Sequence, residues 1–380
     1  MFRYKTDVMM TGFVAAIIMS HISHGYFGGA LNSMLDFLPA LAGYYLVAHS
    51  LNSERKVKWF MFLLIALTVF LSYEACLQSF YGVAQGGLKP LFQQVTNAAG
   101  VQETVLRVRW FGMFNDPNDF GLALILPIPF LINSLFEKKY LLPTACLTPL
   151  LYATYQTNSR GAMLALSAAI FIYLIIRFRS TIGAIFAGLL GAFVVVLGPS
   201  RMSQLSSGEE SAHGRIEAWY AGFQMFKSYP IFGVGMGMFT DYHPLTAHNT
   251  YMLVLAELGF LGAFFFAGLF FYPLLWSYNN IFMQTESPEN EKKRLLLAAC
   301  FSSLTGLMAA LFFLSRAYIM LPFMIIAFLT ATINTLRWPP CVDVALAQGD
   351  AVADQFHGLK IASVVLAEII IINLIVKLCI

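Results

Sequence analysis

The chain has few charges for its length. Of its 380 residues, 11% are Asp, Glu, Lys or Arg, whereas 58% are hydrophobic. Soluble domains contain about 25% charged residues, so this composition excludes an ordinary soluble protein and indicates an integral membrane protein. The net charge of +3 is small and scattered along the sequence, which argues against a nucleic-acid partner.

Motifs for metals and nucleotides are also missing from the sequence. The five cysteines do not have the spacing of a metal site or a disulfide framework. The sequence has no His/Cys/carboxylate cluster at zinc spacing, no Walker loop and no Gly-x-Ser-x-Gly motif. Asp116 and Asp119 form a weak candidate site for a divalent cation, and capping of a helix by Asp116 or Asn118 is the alternative. We therefore expect no metal and no cofactor.

Long apolar runs dominate the rest of the sequence. A helix needs about 20 apolar residues to cross a membrane, so we predict an all-α, multi-pass protein whose single membrane domain covers 1–380 and contains about eleven transmembrane helices. The predicted spans are 8–22, 34–51, 59–80, 119–136, 140–156, 161–177, 181–198, 249–276, 295–314, 317–336 and 361–379.

The basic residues predict the orientation of the spans. With a cytoplasmic N-terminus, most Lys and Arg residues form short clusters at cytoplasmic helix ends, as the positive-inside rule requires. Two long loops, 81–118 and 199–248, then lie outside. Within the second loop, residues 213–228 have apolar side chains at helical spacing, which predicts an interfacial helix on the outer membrane face. The segment IFGVGMGMF follows and suits either close approach to a ligand or flexible re-entry of the chain.

Several cations mark the outer ends of the predicted helices: Arg109, Arg160, Arg215, Arg316 and His248. In a chain so poor in charge, cations gathered at one membrane boundary predict an anionic partner, and a phosphate at headgroup depth fits best. Arginine suits this role because its planar fork binds phosphate oxygens in pairs. The alternatives are an interfacial anchor for Arg160 and an exposed ion pair with a glutamate for Arg215.

His248 is the candidate general base. Imidazole accepts a proton near neutral pH, and His248 stands between the second long loop and the next span, downstream of His243. The alternative for His248 is a solvated loop histidine. Glu257 lies further along the same predicted helix, on roughly the opposite side, so we do not expect it to orient His248.

Three aromatic residues are candidates to stack on sugar rings, together with His243 as a saccharide or acceptor contact. They are Trp110, Trp219 and Tyr242. Anchoring of these rings in the interfacial aromatic belt is the alternative.

Taken together, five segments resemble the O-antigen ligase and polymerase superfamily of bacterial membrane glycosyltransferases. They lie in the family's order over about 107–318, which we take as the family core. The segments are RWFGMFNDPNDFGLAL, TNSRGAMLAL, GRIEAWYAGFQMF with YPIFGVGMGMF, AHNTYMLVLAELGFLG and FFLSRAY. The NDPND and FFLSRAY forms look most like the exosortase-associated O-glycosylation ligase branch.

This resemblance implies a fold of roughly a dozen helices around an outward-facing cavity. It implies inverting, metal-independent transfer of a saccharide from undecaprenyl pyrophosphate to a hydroxyl of a lipid, protein or glycan acceptor. The site would face the periplasm from the bacterial inner membrane, in polysaccharide biosynthesis for the cell envelope. Arg160 and Arg215 correspond to the arginines that hold the pyrophosphate, and His248 to the histidine that activates the acceptor. Relative to the family, we expect one or two missing N-terminal helices and an additional apolar segment at 361–379.

A ligase is the expected activity, and a chain polymerase of the same superfamily is the near alternative because the sequence barely separates the two. A transporter of lipid-linked saccharides is less favoured, because a transporter places polar residues near the middle of the membrane and contains paired broken helices. A structural scaffold for polysaccharide assembly is the least favoured alternative.

Overall fold

The structure is a computed structural model that describes residues 4–96, 102–179, 185, 188, 210–282, 287–336 and 351–379. It is mostly helical, at 78%. The helices are α1 (Lys5–Ile22), α2 (Phe27–Ser50), α3 (Glu54–Tyr81), α4 (Pro117–Ile125), α5 (Ile128–Phe136), α6 (Leu141–Gln156), α7 (Arg160–Phe178), α8 (Glu210–Ser228), α9 (Phe239–Tyr242), α10 (Thr250–Ile281), α11 (Pro288–Leu311), α12 (Met320–Thr335) and α13 (Ala351–Cys379).

Among the described residues, six helices are long and apolar enough to cross a membrane. They are Glu54–Tyr81, Pro117–Phe136, Arg160–Phe178, Thr250–Ile281, Pro288–Leu311 and His357–Lys377. The predicted span 181–198 lies outside the residues that the structure describes, apart from isolated positions, and so does the start of the predicted outer loop 199–248. The other predicted spans form helices that are shorter or less apolar. A multi-pass membrane protein is therefore supported, and the count of eleven spans stays a prediction.

The predicted membrane domain contains two compact units. The first, which we call the histidine unit, comprises Met1–Asn52, Ser207–Asn280 and Ser315–Ile380. The second, the hairpin unit, comprises Ser53–Ser206 and Ile281–Leu314.

In the histidine unit, α2 packs against both α1 and α12. Three buried phenylalanines fill this junction: the ring of Phe37 lies 5.6 Å from that of Phe13 and 5.2 Å from that of Phe323. Gly43 allows a close approach, because a Cβ there would lie 2.8 Å from Cγ of Met320. Small residues at contacts and interlocking rings are how helices associate in lipid, where burial from water supplies little driving force.

The helix α10 is interrupted at Gly259, whose φ of 63° and ψ of −163° are not helical. The break frees backbone groups, and the segment 229–238, which we call the glycine loop, pairs with them. Backbone hydrogen bonds of 2.8–3.2 Å run from Phe260 N–H to Pro230 O, Leu261 N–H to Ile231 O, Val234 N–H to Ala256 O and Gly235 N–H to Glu257 O. The predicted interfacial helix 213–228 falls within α8, which leads into this loop.

In the hairpin unit, α7 and α11 make the most extensive helix–helix contact. A Cβ on Gly306 would lie 2.8 Å from the Cβ of Ala169, so glycine permits this approach. The predicted span 119–136 is divided into α4 and α5 before Pro127. There the freed carbonyl of Leu126 accepts a hydrogen bond of 2.8 Å from Oγ of Ser303.

A β-hairpin occupies the predicted outer loop 81–118, where the sequence analysis indicated no strands. Strand β1 (Leu91–Thr96) pairs antiparallel with β2 (Gln102–Arg107), in the register from Leu91 opposite Arg107 to Thr96 opposite Gln102. The short strand β2 is exposed over its first half and has no apolar run, so the hairpin gives little hydrophobic signal in the sequence.

Candidate functional site

The backbone at His248 is held in an uncommon conformation just before α10. Its φ is 48°, in the left-handed region that non-glycine residues seldom adopt. The next residue, Asn249, is fully buried and caps α10. Its Oδ1 accepts hydrogen bonds from the N–H groups of Tyr251 (2.9 Å) and Met252 (3.1 Å). Asparagine is a favoured N-cap, so the sequence AHNT fixes the start of the helix and leaves the His248 side chain half-buried beside it.

Two hydrogen bonds bring other predicted site residues to this segment. The indole N–H of Trp219 donates to the carbonyl of Ala247 at 2.8 Å. The backbone N–H of Arg316 donates to Oγ1 of Thr250 at 3.0 Å. One residue on α8 and one in the turn before α12 are thereby fixed on either side of His248.

Arg215 belongs to the same neighbourhood, because it lies one helical turn before Trp219 on α8 and residues four apart share a helix face. We call Arg215, Trp219, His248 and Arg316 the histidine cluster. Both arginines are half-buried. Trp219 is only 8% exposed, so its ring contributes mainly to packing and leaves little surface for a sugar.

The remaining aromatic and histidine candidates of this unit lie on α9 and just after it. Tyr242 is 55% exposed and is available for stacking on a ligand. Nδ1 of His243 lies 3.2 Å from the backbone nitrogen of Leu245, a local contact within the loop.

Glu257 links the segments that carry these candidate residues, a role that the sequence analysis missed. Its carboxylate accepts a hydrogen bond from the N–H of Phe239 at 3.1 Å and another from the hydroxyl of Tyr318 at 2.7 Å. Tyr318 lies in the turn that carries Arg316, so one buried carboxylate joins α10, α9 and that turn. The signal in the sequence was a carboxylate inside an apolar span, which is seldom without a partner.

A second group of contacts lies in the hairpin unit. The end of β2 is joined to the turn between α6 and α7, which comes just before Arg160. The contacts are Val108 N–H to Gln156 O (3.1 Å), Arg107 Nε to Thr157 O (2.9 Å) and Asn158 Nδ2 to Leu106 O (2.8 Å). Arg109 and Arg160, which we call the arginine cluster, are therefore held on adjoining segments.

Arg160 occupies the first position of α7, as predicted from the apolar run that follows it. Oγ of Ser159 caps the helix by accepting a hydrogen bond of 3.2 Å from the N–H of Ala162. A Cβ on Gly161 would lie 2.8 Å from the Cβ of Phe313, so small residues place this helix end close to α11. A helix N-terminus adds partial positive charge beside the guanidinium.

The backbone of Arg109 is held in place by Gln78. Oε1 of the buried Gln78 accepts a hydrogen bond from the N–H of Arg109 (3.1 Å), and its Nε2 donates to the carbonyl of Arg109 (2.6 Å). The guanidinium of Arg109 donates to the carbonyl of Lys89 (3.2 Å) and to Oδ1 of Asn115 (3.1 Å), and these contacts are exposed. Trp110 packs its ring edge-to-face against Phe70 at 5.9 Å and remains partly exposed.

Of the predicted Asp116/Asp119 pair, Asp116 has a structural role in α4. Oδ1 of Asp116 accepts a hydrogen bond of 2.7 Å from the N–H of Asn118, which confirms helix capping. Asn118 in turn accepts a hydrogen bond of 2.9 Å from the guanidinium of Arg107. Within the described part of the chain, no group of three or more His, Cys, Asp or Glu side chains is arranged to hold a metal ion.

Comparison with known proteins agrees with the resemblance in the motifs. Residues 145–267 match the family model described as O-Antigen ligase, which supports the assignment of the chain to the O-antigen ligase and polymerase superfamily. The matched region contains Arg160, Arg215 and His248, whereas Arg109 and Arg316 lie outside it. No curated protein matches the chain. The match and the apolar helices together support a multi-pass membrane enzyme of the ligase or polymerase type, acting on a lipid-linked glycan.

Proposed function

We propose that the chain transfers a saccharide from undecaprenyl pyrophosphate to an acceptor hydroxyl at the periplasmic face of the inner membrane, as an O-antigen or O-glycosylation ligase. The observation that carries the proposal is the pair of hydrogen bonds around His248, from Trp219 to Ala247 and from Arg316 to Thr250. They support the proposal because they hold the chain on both sides of His248 against the α8 segment of Arg215 and the turn of Arg316.

The chemistry follows from these side chains. His248 takes the proton of the acceptor hydroxyl as its oxygen attacks the anomeric carbon, which contributes about 10²–10⁴-fold in rate. The bond between that carbon and the pyrophosphate oxygen breaks, and its electron pair leaves with the phosphate. Guanidinium groups of Arg215 and Arg316 stabilise the negative charge that develops there. A single displacement inverts the anomeric configuration.

The arginine cluster supports the same proposal within the hairpin unit. Arg160 offers a guanidinium and a capped helix N-terminus, and anions bind favourably at such ends. Arg109 offers an exposed guanidinium on a firmly held backbone. We assign both to pyrophosphate binding, and Trp110 and Tyr242 to saccharide or acceptor contacts.

The test uses purified full-length protein in detergent with a synthetic undecaprenyl-pyrophosphate oligosaccharide and candidate acceptors. Release of undecaprenyl pyrophosphate together with glycosylated acceptor is expected from the wild type. His248→Ala should lower turnover at least about 10²-fold. His357→Ala, the same change elsewhere in the histidine unit, is the matched control and should retain activity.

A folded His248→Ala variant with wild-type turnover would refute the assignment of the base. Arg215→Lys and Arg316→Lys retain the charge but lose the bidentate fork, so each should lower turnover less than the corresponding Ala variant does. The product separates ligase from polymerase: a ligase modifies the added acceptor once, whereas a polymerase lengthens the glycan.

A transporter is the second candidate because two apolar spans are discontinuous, at Gly259 and before Pro127, and broken helices are typical of transporters. The freed carbonyls argue against it. Those of Ala256, Glu257 and Leu126 accept hydrogen bonds from the protein, which occupies the carbonyls that a transporter would offer to a coupling ion. Saccharide crossing liposomes without cleavage of the pyrophosphate bond would favour transport.

A further inference from the structure

A groove with a volume of about 570 Å³ lies at the first turns of α3, far in sequence from either cluster. It is lined by Arg55, Lys58, Trp59 and Phe62. These positions follow the spacing i, i+3, i+4 and i+7, so they form one stripe along the helix. The stripe faces away from the protein, since Trp59 is 60% and Phe62 is 56% exposed, whereas Val57 on another face is fully buried.

Two aromatic rings form one wall of the groove. The rings of Trp59 and Phe62 lie edge-to-face, with centroids 6.0 Å apart and an interplanar angle of 89°. This arrangement is favourable for aromatic pairs and fixes both rings on the same side of the helix.

The cationic part of the groove keeps its charge available. Arg55 forms no ion pair or side-chain hydrogen bond with any residue that the structure describes. Lys58 Nζ lies 4.0 Å from Glu54 Oε2, at the limit of an ion pair, while Lys293 Nζ approaches the other Glu54 oxygen more closely, at 3.3 Å. Glu54, which also pairs with Lys293, therefore does not neutralise the charges of both Arg55 and Lys58.

The position of the groove along α3 points to the membrane boundary. The helix is a candidate span in which only 28% of the most apolar window is buried by protein, so most of its surface is left for lipid. The cations occupy the first turns, and Phe62 lies one turn deeper. Cationic residues bind anionic headgroups at such boundaries, and aromatic rings sit at headgroup depth just inside them.

We propose that this groove binds an anionic phospholipid. Arg55 and Lys58 contact the phosphate of the headgroup, and Trp59 and Phe62 contact the glycerol and the upper acyl chains. The site is independent of the glycosyl transfer, because it uses none of the residues assigned to that reaction.

Native mass spectrometry of the full chain in detergent, titrated with phosphatidylglycerol or phosphatidylcholine, tests the proposal. Each cation near an anionic headgroup contributes about fivefold in affinity. The Arg55→Gln/Lys58→Gln double variant should therefore bind phosphatidylglycerol about 25-fold more weakly than the wild type, with little change for phosphatidylcholine. Trp59→Ala should weaken the binding of both lipids.

Lys56→Gln is the matched control, because Lys56 is exposed on the same turn but off the stripe. Equal affinity of the wild type for the two lipids would overturn the proposal, and so would an equal loss in the Lys56→Gln control. Melting without added lipid verifies that each variant is folded; if the double variant fails this check, Arg55→Gln alone should still show the fivefold loss. A protein partner or another segment of the chain on this face would give equal affinities, which again refutes lipid binding.

Discussion

Replacing Gly233 with alanine tests whether the glycine loop and α10 require direct backbone contact. Gly233 has φ of +69°, and a Cβ there would lie 2.3–2.5 Å from backbone atoms of Glu257 and Leu258. Real Cβ atoms do not approach backbone so closely, so the loop must move away from α10. Gly237 in the same loop has φ of +80° but nothing within 4 Å of its added Cβ. It therefore serves as the control that carries the conformational strain without the clash.

The magnitude follows from the hydrogen bonds that the clash disrupts. A left-handed conformation costs an alanine about 1–2 kcal/mol, and this cost applies to both variants. Moving the loop at Gly233 also breaks the bonds from Val234 N–H to Ala256 O and from Gly235 N–H to Glu257 O. The N–H groups move with the loop, but the carbonyls of Ala256 and Glu257 stay in the buried part of α10, and each of these two groups left unpaired costs about 1–3 kcal/mol. We expect Gly233→Ala to lose about 2–6 kcal/mol more than Gly237→Ala.

The assay is reversible unfolding of the detergent-solubilised protein in a denaturant titration, with thermal melting as a second measure. Gly259→Ala should behave like Gly233→Ala, because its Cβ would lie 2.5 Å from the backbone of Ile231. Equal losses for Gly233→Ala and Gly237→Ala would show that strain alone explains the glycine and that the paired segments are not held as described.

Replacing Trp219 with phenylalanine removes the donor to the Ala247 carbonyl. We expect a loss of about 1–3 kcal/mol in stability and lower turnover in the lipid-pyrophosphate release assay. Unchanged melting and turnover would contradict this expectation. Gln78→Leu removes both hydrogen bonds to the Arg109 backbone, so trypsin should cut after Arg109 faster than in the wild type. An unchanged cleavage rate would show that Gln78 does not anchor the Arg109 backbone. Ser159→Ala removes the N-cap of α7 and should cost about 1 kcal/mol, whereas Ser159→Thr should retain most of the stability; equal losses in melting would exclude capping as the cause.

The sequence indicated those features of the fold that depend on local patterns. The apolar run after Arg160 indicated a helix starting at that residue, because membrane helices are defined by continuous hydrophobic stretches. The helix start at Asp116 was likewise readable, because a capping carboxylate accepts a hydrogen bond from a residue only two positions on.

Features that depend on distant partners were not readable in this way. The glycines of the loop suited ligand approach or flexible re-entry, yet Gly233 lies against the backbone of Glu257, which is remote in the chain. Trp219 suited the interfacial belt, yet its ring is buried and its N–H is bonded to Ala247. A hydrogen bond from a side chain to a carbonyl distant in the sequence produces no sequence pattern. Hydrophobicity alone therefore predicts that such a side chain contacts lipid.

The interruption at Gly259 divides α10 into two parts of very different length. The part from Phe260 to Ile281 is roughly 22 residues long and extends about 33 Å, which by itself matches the hydrocarbon thickness of about 30 Å. The C-terminal part alone is therefore long enough to cross the bilayer. The short N-terminal part, from Thr250 to Leu258, is then free of that requirement, so it can hold the carboxylate of Glu257, which a membrane-crossing stretch would accommodate only at a high energetic cost.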